Sequence, residues 1–334
     1  MLGRAGHQVI IRHFLGSLIR FRCSDAEAGV RSVLDDPLLG EQLAVVDAVV
    51  VNGEGSIHHG AGTEYLALLG AAQELGKATL LVNAVLQDVF GFDGILKKLD
   101  DFTVRESSSK QFAEQLGVPC RVVPDSCLEA GFSQQPSLDL CGADVLTDWH
   151  HERDADVGRA CVDYLAGQTG SCAFLPLHFA DASTTWRAFP ATLRGGDVVV
   201  TARHHGVYLA AIAGRPFVPL GSNTFKMEGL LEGFRELGPV RPNATAIMEG
   251  VDWARHHRSA FEQFAGSLMG QLPLSTFRAL GGSYDPGGEE REGLRLQRDV
   301  EAQWSRARPD VAYMMERRSA EMRLAAAHGG RADA

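Results

Sequence analysis

The sequence predicts an α/β protein: two doubly wound domains that face one cleft, followed by a helical extension. Three observations lead there. From about residue 43, short β-branched runs alternate with longer helical patterns, the signature of βαβ units and parallel sheets. The alternation comes in two series of similar size, separated by GFSQQPSLDLCG (131–142), which has no strong period and reads as a linker. After residue 250 the strand runs stop, and helical patterns continue around a loop, GGSYDPGGEE (281–290). The expected domains are 1–130, 143–272, and an extension over 273–334.

Residues 1–40 supply a helix, HQVIIRHFLGSLI, and no convincing strand before it, so either the first strand is missing or the domain begins with a helix. AVVDAVVVN (44–52) reads as a buried strand ending at glycines. TEYLALLGAAQELG (63–76) is a helix with Gly76 past its end, and ATLLVNA (78–84) is the next strand. DDFTVRE (100–106) is a strand, SSSKQFAEQLG (107–117) a helix with a serine-rich start, and PCRVVPD (119–125) the strand that completes this half.

In the second series ADVLTD (143–148) is a strand and DVGRACVDYLAG (156–167) a helix. SCAFLPL (171–177) is a strand, with a helix somewhere in 182–193. GDVVVTA (196–202) is a strand opening into RHHG, and VYLAAIAG (207–214) is the helix after it. PFVPLG (216–221) is a strand, TFKMEGLLEGFREL (224–237) a helix, and 251–272 is helical throughout. Residues 291–323 read as a helix of alternating charge, either a solvated extension or a dimerisation or partner helix.

Composition excludes several classes. The 334 residues carry a formal net charge of −10 with no dense basic block, which argues against general nucleic-acid binding. Apolar residues are 45% of the chain, too many for a disordered protein. No apolar run approaches the ~20 residues a membrane helix needs, and the start lacks the pattern of a secretory signal. The six cysteines form no C-x-x-C pair and read as reduced thiols of a cytoplasmic protein. No H-E-x-x-H or comparable spacing occurs, and no metal is expected.

In doubly wound sheets, ligands bind beyond the carboxyl ends of the strands. That rule singles out NGEGSIHH, RESS, PDS, RHHG and GSNTFK. In the first, Gly53 and Gly55 let a ligand approach the backbone, and Asn52, Glu54, His58 and His59 can meet hydroxyls. The third glycine of a dinucleotide fingerprint is replaced by His58, so nucleotide binding is a weak reading there. RHHG places Arg203, His204, His205 and Gly206 at a strand end and helix start, an arrangement suited to an anion with an acid beside it. Lys226 and Asn223 follow the next strand, and Arg105 ends another. Glu228 and Glu236 form an E-x7-E spacing that also occurs in some sugar-nucleotide transferases.

The order VVVNGEGSIHHG, DDFTVRESSSKQFAEQLGV, VVPDSCL and DVVVTARHHGVYLAAIAGRPFVPLGSNTFKMEGLL resembles the polysaccharide pyruvyl transferase family over roughly residues 45–235. Arg203, His205 and Gly206 match its R-x-H-G, Gly214 and Pro216 its G-x-P, and Lys226 its lysine. Arg105 with Glu106 matches its arginine–acid pair and Asp125 the aspartate that follows. The resemblance implies a GT-B-like pair of Rossmann-like domains. It also implies transfer of a pyruvyl group from phosphoenolpyruvate, as co-substrate and without a cofactor, to a sugar, glycan or lipid-linked sugar, forming a cyclic ketal.

On that reading Arg203 and His205 are catalytic, with Lys226, Arg105, His204, Gly206 and Asn223 binding the donor. Asn52, Gly53, Glu54, Gly55, His58 and His59 bind the acceptor. Neither nucleic acid nor membrane insertion is expected, and a homo-oligomer would form through the C-terminal helix. The alternatives are a GT-B glycosyltransferase using a nucleotide sugar and a non-catalytic sugar- or anion-binding relative.

Overall fold

The computed structural model describes residues 25–150, 155–168, 170–177, 186–271 and 280. The expected first helix and, apart from residue 280, the extension over 273–334, including its proposed dimer contact, lie outside the described residues. Two parallel four-stranded sheets form the frame. The first contains β1 (Ala48–Asn52), β3 (Ala78–Ala84), β5 (Asp101–Val104) and β6 (Arg121–Val122), in that spatial order. Beyond the ends of β1 and β3 the chain pairs again, as β2 (Ile57–His58) with β4 (Leu86–Gln87). The second sheet contains β7 (Asp144–Leu146), β8 (Cys172–Phe174), β9 (Val199–Thr201) and β10 (Phe217–Pro219), ordered β10-β9-β7-β8. Its order reverses beside β7, the kind of switch point where doubly wound sheets open a crevice.

The strands β3, β5, β7, β9 and β10 are buried because helices cover them, whereas β1, β6 and β8 are partly exposed. In the first half α1 (Ala26–Leu34) and α2 (Pro37–Ala44) precede β1. Asp25 caps α1 by accepting from the Glu27 and Ala28 amides. Next come α3 (Thr63–Glu74), α4 (Asp93–Leu96) and α5 (Ser107–Gln115). The second half contributes α6 (Ala155–Gly167), α7 (Phe189–Leu193), α8 (His204–Ala213), α9 (Lys226–Leu230), α10 (Ala244–His256) and α11 (Arg258–Met269). Each sheet has its own apolar core, and each core borrows from the other side. Cys127 and Leu128 belong to the core around β7–β10, while Phe225 packs on the core around β1–β6. Among the described residues no helix is long and apolar enough to cross a membrane.

Several elements differ from expectation. The strand read over 44–52 begins only at Ala48, because α2 runs through Ala44. The helix read over 224–237 stops at Leu230, and a separate 3-10 turn covers Arg235–Leu237. Gly229 and Gly233 weaken helix propagation there. Glu228 and Glu236 therefore share no helix, and both are exposed. The single helix read over 251–272 is two helices meeting at His257, and the first starts earlier, capped by Asn243 at the Ala246 amide. Glu106, not a serine, caps α5 by accepting from the Ser109 amide.

The helix after β9 begins at His204, three residues before the apolar run, so both histidines fall in its first turn. Gly206 makes that entry possible: a Cβ there would overlap the Thr201 side chain on β9. Overpacking of this kind costs about 1–3 kcal/mol. Gly206→Ala should lower the urea-unfolding free energy by that amount, and an unchanged midpoint would show that β9 and α8 are not packed as described.

Candidate active site

The strand ends of both halves converge on one buried carboxylate. Asp125 follows β6 and is 1% exposed. Its Oδ2 accepts from Arg105 Nη1 at 2.7 Å and lies 3.3 Å from His205 Nε2 and 3.9 Å from His204 Nε2. Its Oδ1 accepts from the Cys127 amide at 2.9 Å, and its own amide donates to the Tyr208 hydroxyl at 3.1 Å. Arg105 comes from the end of β5 in the first half, whereas His204, His205 and Tyr208 all belong to α8 of the second.

Burial alone would push Asp125 upward. The hydrogen bond and charge of His205, with the charge of Arg105, instead hold it well below the usual carboxylate range. His204 is buried against the Tyr208 ring, 5.0 Å away, and both of its ring nitrogens lack hydrogen-bond partners. Burial, then the Arg105 charge, lower its pKa far below the ordinary histidine value, so it stays neutral. Glu106 moves the other way: burial raises its pKa despite the hydrogen bonds from Ser109. Its carboxylate occupies the space where a Cβ at Gly229 would stand.

A second set of contacts crosses between the halves. Lys226, 5% exposed, donates to Asn223 Oδ1 at 2.6 Å. The Asn223 amide nitrogen lies 3.4 Å from His58 Nε2, and the Asn223 carbonyl accepts from His59 Nε2 at 3.1 Å. His59 Nδ1 is 2.7 Å from Asp88 Oδ2. Gln87 accepts from the Phe225 amide at 3.0 Å. Nearby, Asn52 donates to Glu54 Oε1 at 3.2 Å, and Asn83 donates to Asn52 at 3.1 Å. Glu54, His59, Asn83 and Asp88 all have positive φ, between 39° and 54°. Left-handed backbone in residues other than glycine costs of order 1–3 kcal/mol each and gathers at functional sites.

The structure therefore brings Glu54, Gly55, His58, His59, Arg105, His204, His205, Asn223 and Lys226 to one junction. Gly55 is needed there, since a Cβ would stand 2.9 Å from Arg105 Nη2. A Cβ on Gly53 would meet Ala84 and one on Gly206 would meet Thr201, so packing requires glycine at both positions. Arg203 differs from the expectation of a guanidinium open to a ligand. Its Nε and Nη2 bind Asp148 Oδ2 at 3.0 and 2.5 Å, Nη2 also binds the Trp149 carbonyl, and Nη1 is 2.9 Å from His150 Nδ1. His205 keeps about a third of its side chain accessible and meets the Trp186 ring edge-on at 5.6 Å.

A cavity of about 170 Å3 lies behind the ion pair, between Arg105, Glu106 and Tyr208 on one side and Gly229, Leu230 and Glu232 on the other. His205 and Lys226 do not line it, so it is not the mouth of the site.

The sequence reading marked Asp125, through the strand-end segment PDS and the family resemblance, but gave it no role; three further contributors, Asp148, Tyr208 and Trp186, escaped it. Asp148 ends the ADVLTD run, so position alone could have found it. Tyr208 lies in an apolar helix and reads as core, and Trp186 lies in a stretch without period.

A family model described as polysaccharide pyruvyl transferase matches residues 7–224. No curated protein matches the chain. Among solved structures, the S. aureus MnaA–UDP co-structure is similar, at 12% identity over 79% of each chain and a TM-score of 0.52. UDP-GlcNAc 2-epimerase from Neisseria meningitidis, bound to UDP-GlcNAc, shows 12% identity over 90% of this chain and 87% of its own, with a TM-score of 0.49. The likeness to MnaA concerns the fold, which is of the GT-B type.

The depressed Asp125 pKa makes a stability prediction. A carboxylate whose folded pKa is below its unfolded value of about 3.9 stabilises the fold above that value and loses the contribution as pH falls toward the folded pKa. Unfolding free energy measured in urea from pH 6 to pH 3 should fall for the wild type below about pH 4. Asp125→Asn should be less stable at pH 6, because Arg105 loses its buried counter-charge, and should show a shallower acid limb. Parallel curves for the two proteins would contradict the assignment.

Proposed function

Because the chain belongs to the polysaccharide pyruvyl transferase family, we propose that it moves a pyruvyl group from phosphoenolpyruvate to two hydroxyls of a sugar, closing a cyclic ketal. The observation that carries this reading is the convergence of Lys226, Arg105 and His205 at the start of α8. That helix has no side-chain cap, and its free amides favour an anion. Lys226 binds the neutral amide of Asn223, a partner that an anionic ligand can displace or join.

In the proposed reaction the donor's phosphate and carboxylate lie against Lys226 and the α8 amides. Arg203 adds positive charge, but Asp148 already occupies most of its fork. His205 gives a proton to the methylene carbon of the enol, which leaves the adjacent carbon electron-poor. A sugar hydroxyl adds to that carbon and loses its proton to a base. The carbon–oxygen bond to phosphate then breaks, phosphate departs, and a second hydroxyl adds and loses its proton to close the ketal. The exposed Glu54 carboxylate, oriented by Asn52, and His59, oriented by Asp88, are placed to accept those protons.

Phosphate release from phosphoenolpyruvate, followed with a panel of free sugars, nucleotide sugars and lipid-linked sugars, tests the reading. His205→Ala should lose about 10²–10⁴-fold in turnover with folding intact. Lys226→Ala should raise the KM for phosphoenolpyruvate by roughly tenfold or more, the scale of one charge-assisted hydrogen bond. Wild-type turnover in His205→Ala would remove His205 from the chemistry. A thermal midpoint raised by UDP and not by phosphoenolpyruvate would favour a nucleotide-sugar transferase. Stabilisation by phosphoenolpyruvate with no phosphate released by any acceptor would favour a binding protein.

A further inference from the structure

We infer that Asp125 is a positioning residue: its carboxylate, carried by one half of the molecule, fixes the imidazole of His205, carried by the other, with Nε2 turned inward and Nδ1 left for the substrate. This inference rests on the reading of His205 as the proton donor.

The carboxylate has no freedom to turn away. Arg105 Nη1 and the Cys127 amide hold one oxygen each, at 2.7 and 2.9 Å. The backbone beneath it is held as well, since the Asp125 amide donates to the Tyr208 hydroxyl. Tyr208 lies three residues after His205 on α8, so side chain and main chain of one residue are fastened to neighbouring turns of one helix. That double tether sets the distance and the angle at which Oδ2 meets His205 Nε2. Asp125 is fully buried, whereas about a third of the His205 side chain is accessible, so the imidazole spans from the buried carboxylate to the open side.

The neighbours explain why this carboxylate orients His205 and leaves His204. The groups facing it are Arg105 from β5, Cys127 from its own turn, and His204, His205 and Tyr208 from α8. Lys226 on α9 adds charge beside His204. His204 is 3.9 Å away, buried and neutral, with no hydrogen bond at either nitrogen. Arg105 and Asp125 would satisfy each other within the first half alone. The added approach to His205 is the feature a purely structural ion pair does not need. Its consequence is that the proton donor is held in register only while the halves are docked.

The test uses the full chain labelled with 15N-histidine, with the His205 signal assigned by its loss in His205→Gln. The expected result is that neutral His205 carries its hydrogen on Nε2, and that Asp125→Ala redistributes it between the two nitrogens. With phosphoenolpyruvate and an accepted sugar, Asp125→Ala should lower kcat about tenfold or more and move KM for the donor much less. A neutral ring with its hydrogen on Nδ1 in the wild type overturns the proposal, as does an unchanged ring and kcat in Asp125→Ala. Should Asp125→Ala fail to fold, the wild-type tautomer decides alone. Should the wild type release no phosphate from phosphoenolpyruvate, the pyruvyl-transfer reading fails, while the tautomer still reports whether Asp125 fixes the ring.

Discussion

The buried pair of Arg105 and Asp125 is the contact on which the rest of the junction depends. Two opposite charges removed from water are costly to bury, and breaking such a pair by deleting one partner typically costs about 3–5 kcal/mol. Here the pair lies where two sheets meet, and the carboxylate faces outward from its own half toward the first turn of α8. The same residue therefore pairs with Arg105 at the carboxyl end of the first sheet, grips the second half through Tyr208, and sets the ring of His205. A position that does all three leaves little room for change: shortening, lengthening or neutralising the side chain would each disturb more than one of them.

Around that pair the chain adopts conformations that local preference alone would not choose. Glycine at 55 admits the Arg105 guanidinium, and glycine at 206 admits Thr201 against the start of α8. Four residues other than glycine take left-handed backbone where β1 to β4 end. These costs are met by the apolar cores of the two halves, each of which takes in residues from across the junction. The result is a junction that gathers the imidazoles of His58, His59, His204 and His205 and the ammonium of Lys226, on a protein whose formal net charge is −10. Positive charge is concentrated by the fold, not by composition.

Much of the architecture was legible in the chain. The β-branched runs and closing glycines place β3, α3 and α6 nearly to the residue, because period and termination signals agree there. The breaks at Gly229 and at His257 were not legible: a charged, partly apolar stretch keeps helical period even where packing interrupts it. The site was legible as a list of strand ends, and the family match marked Arg105, His205 and Lys226. Its internal wiring was not. That Arg203 is fastened to Asp148, or that Asp125 reaches another half of the molecule, depends on contacts between residues 20 to 83 positions apart, which no local pattern encodes.

The most direct test of the account is a crystal structure of the full chain soaked with phosphoenolpyruvate. The account predicts the small acid at the junction, its anionic groups within hydrogen-bonding reach of Lys226 and the first amides of α8, and its methylene carbon facing His205 Nδ1. Density for the compound elsewhere, or at the junction with the methylene turned away from His205, would contradict it.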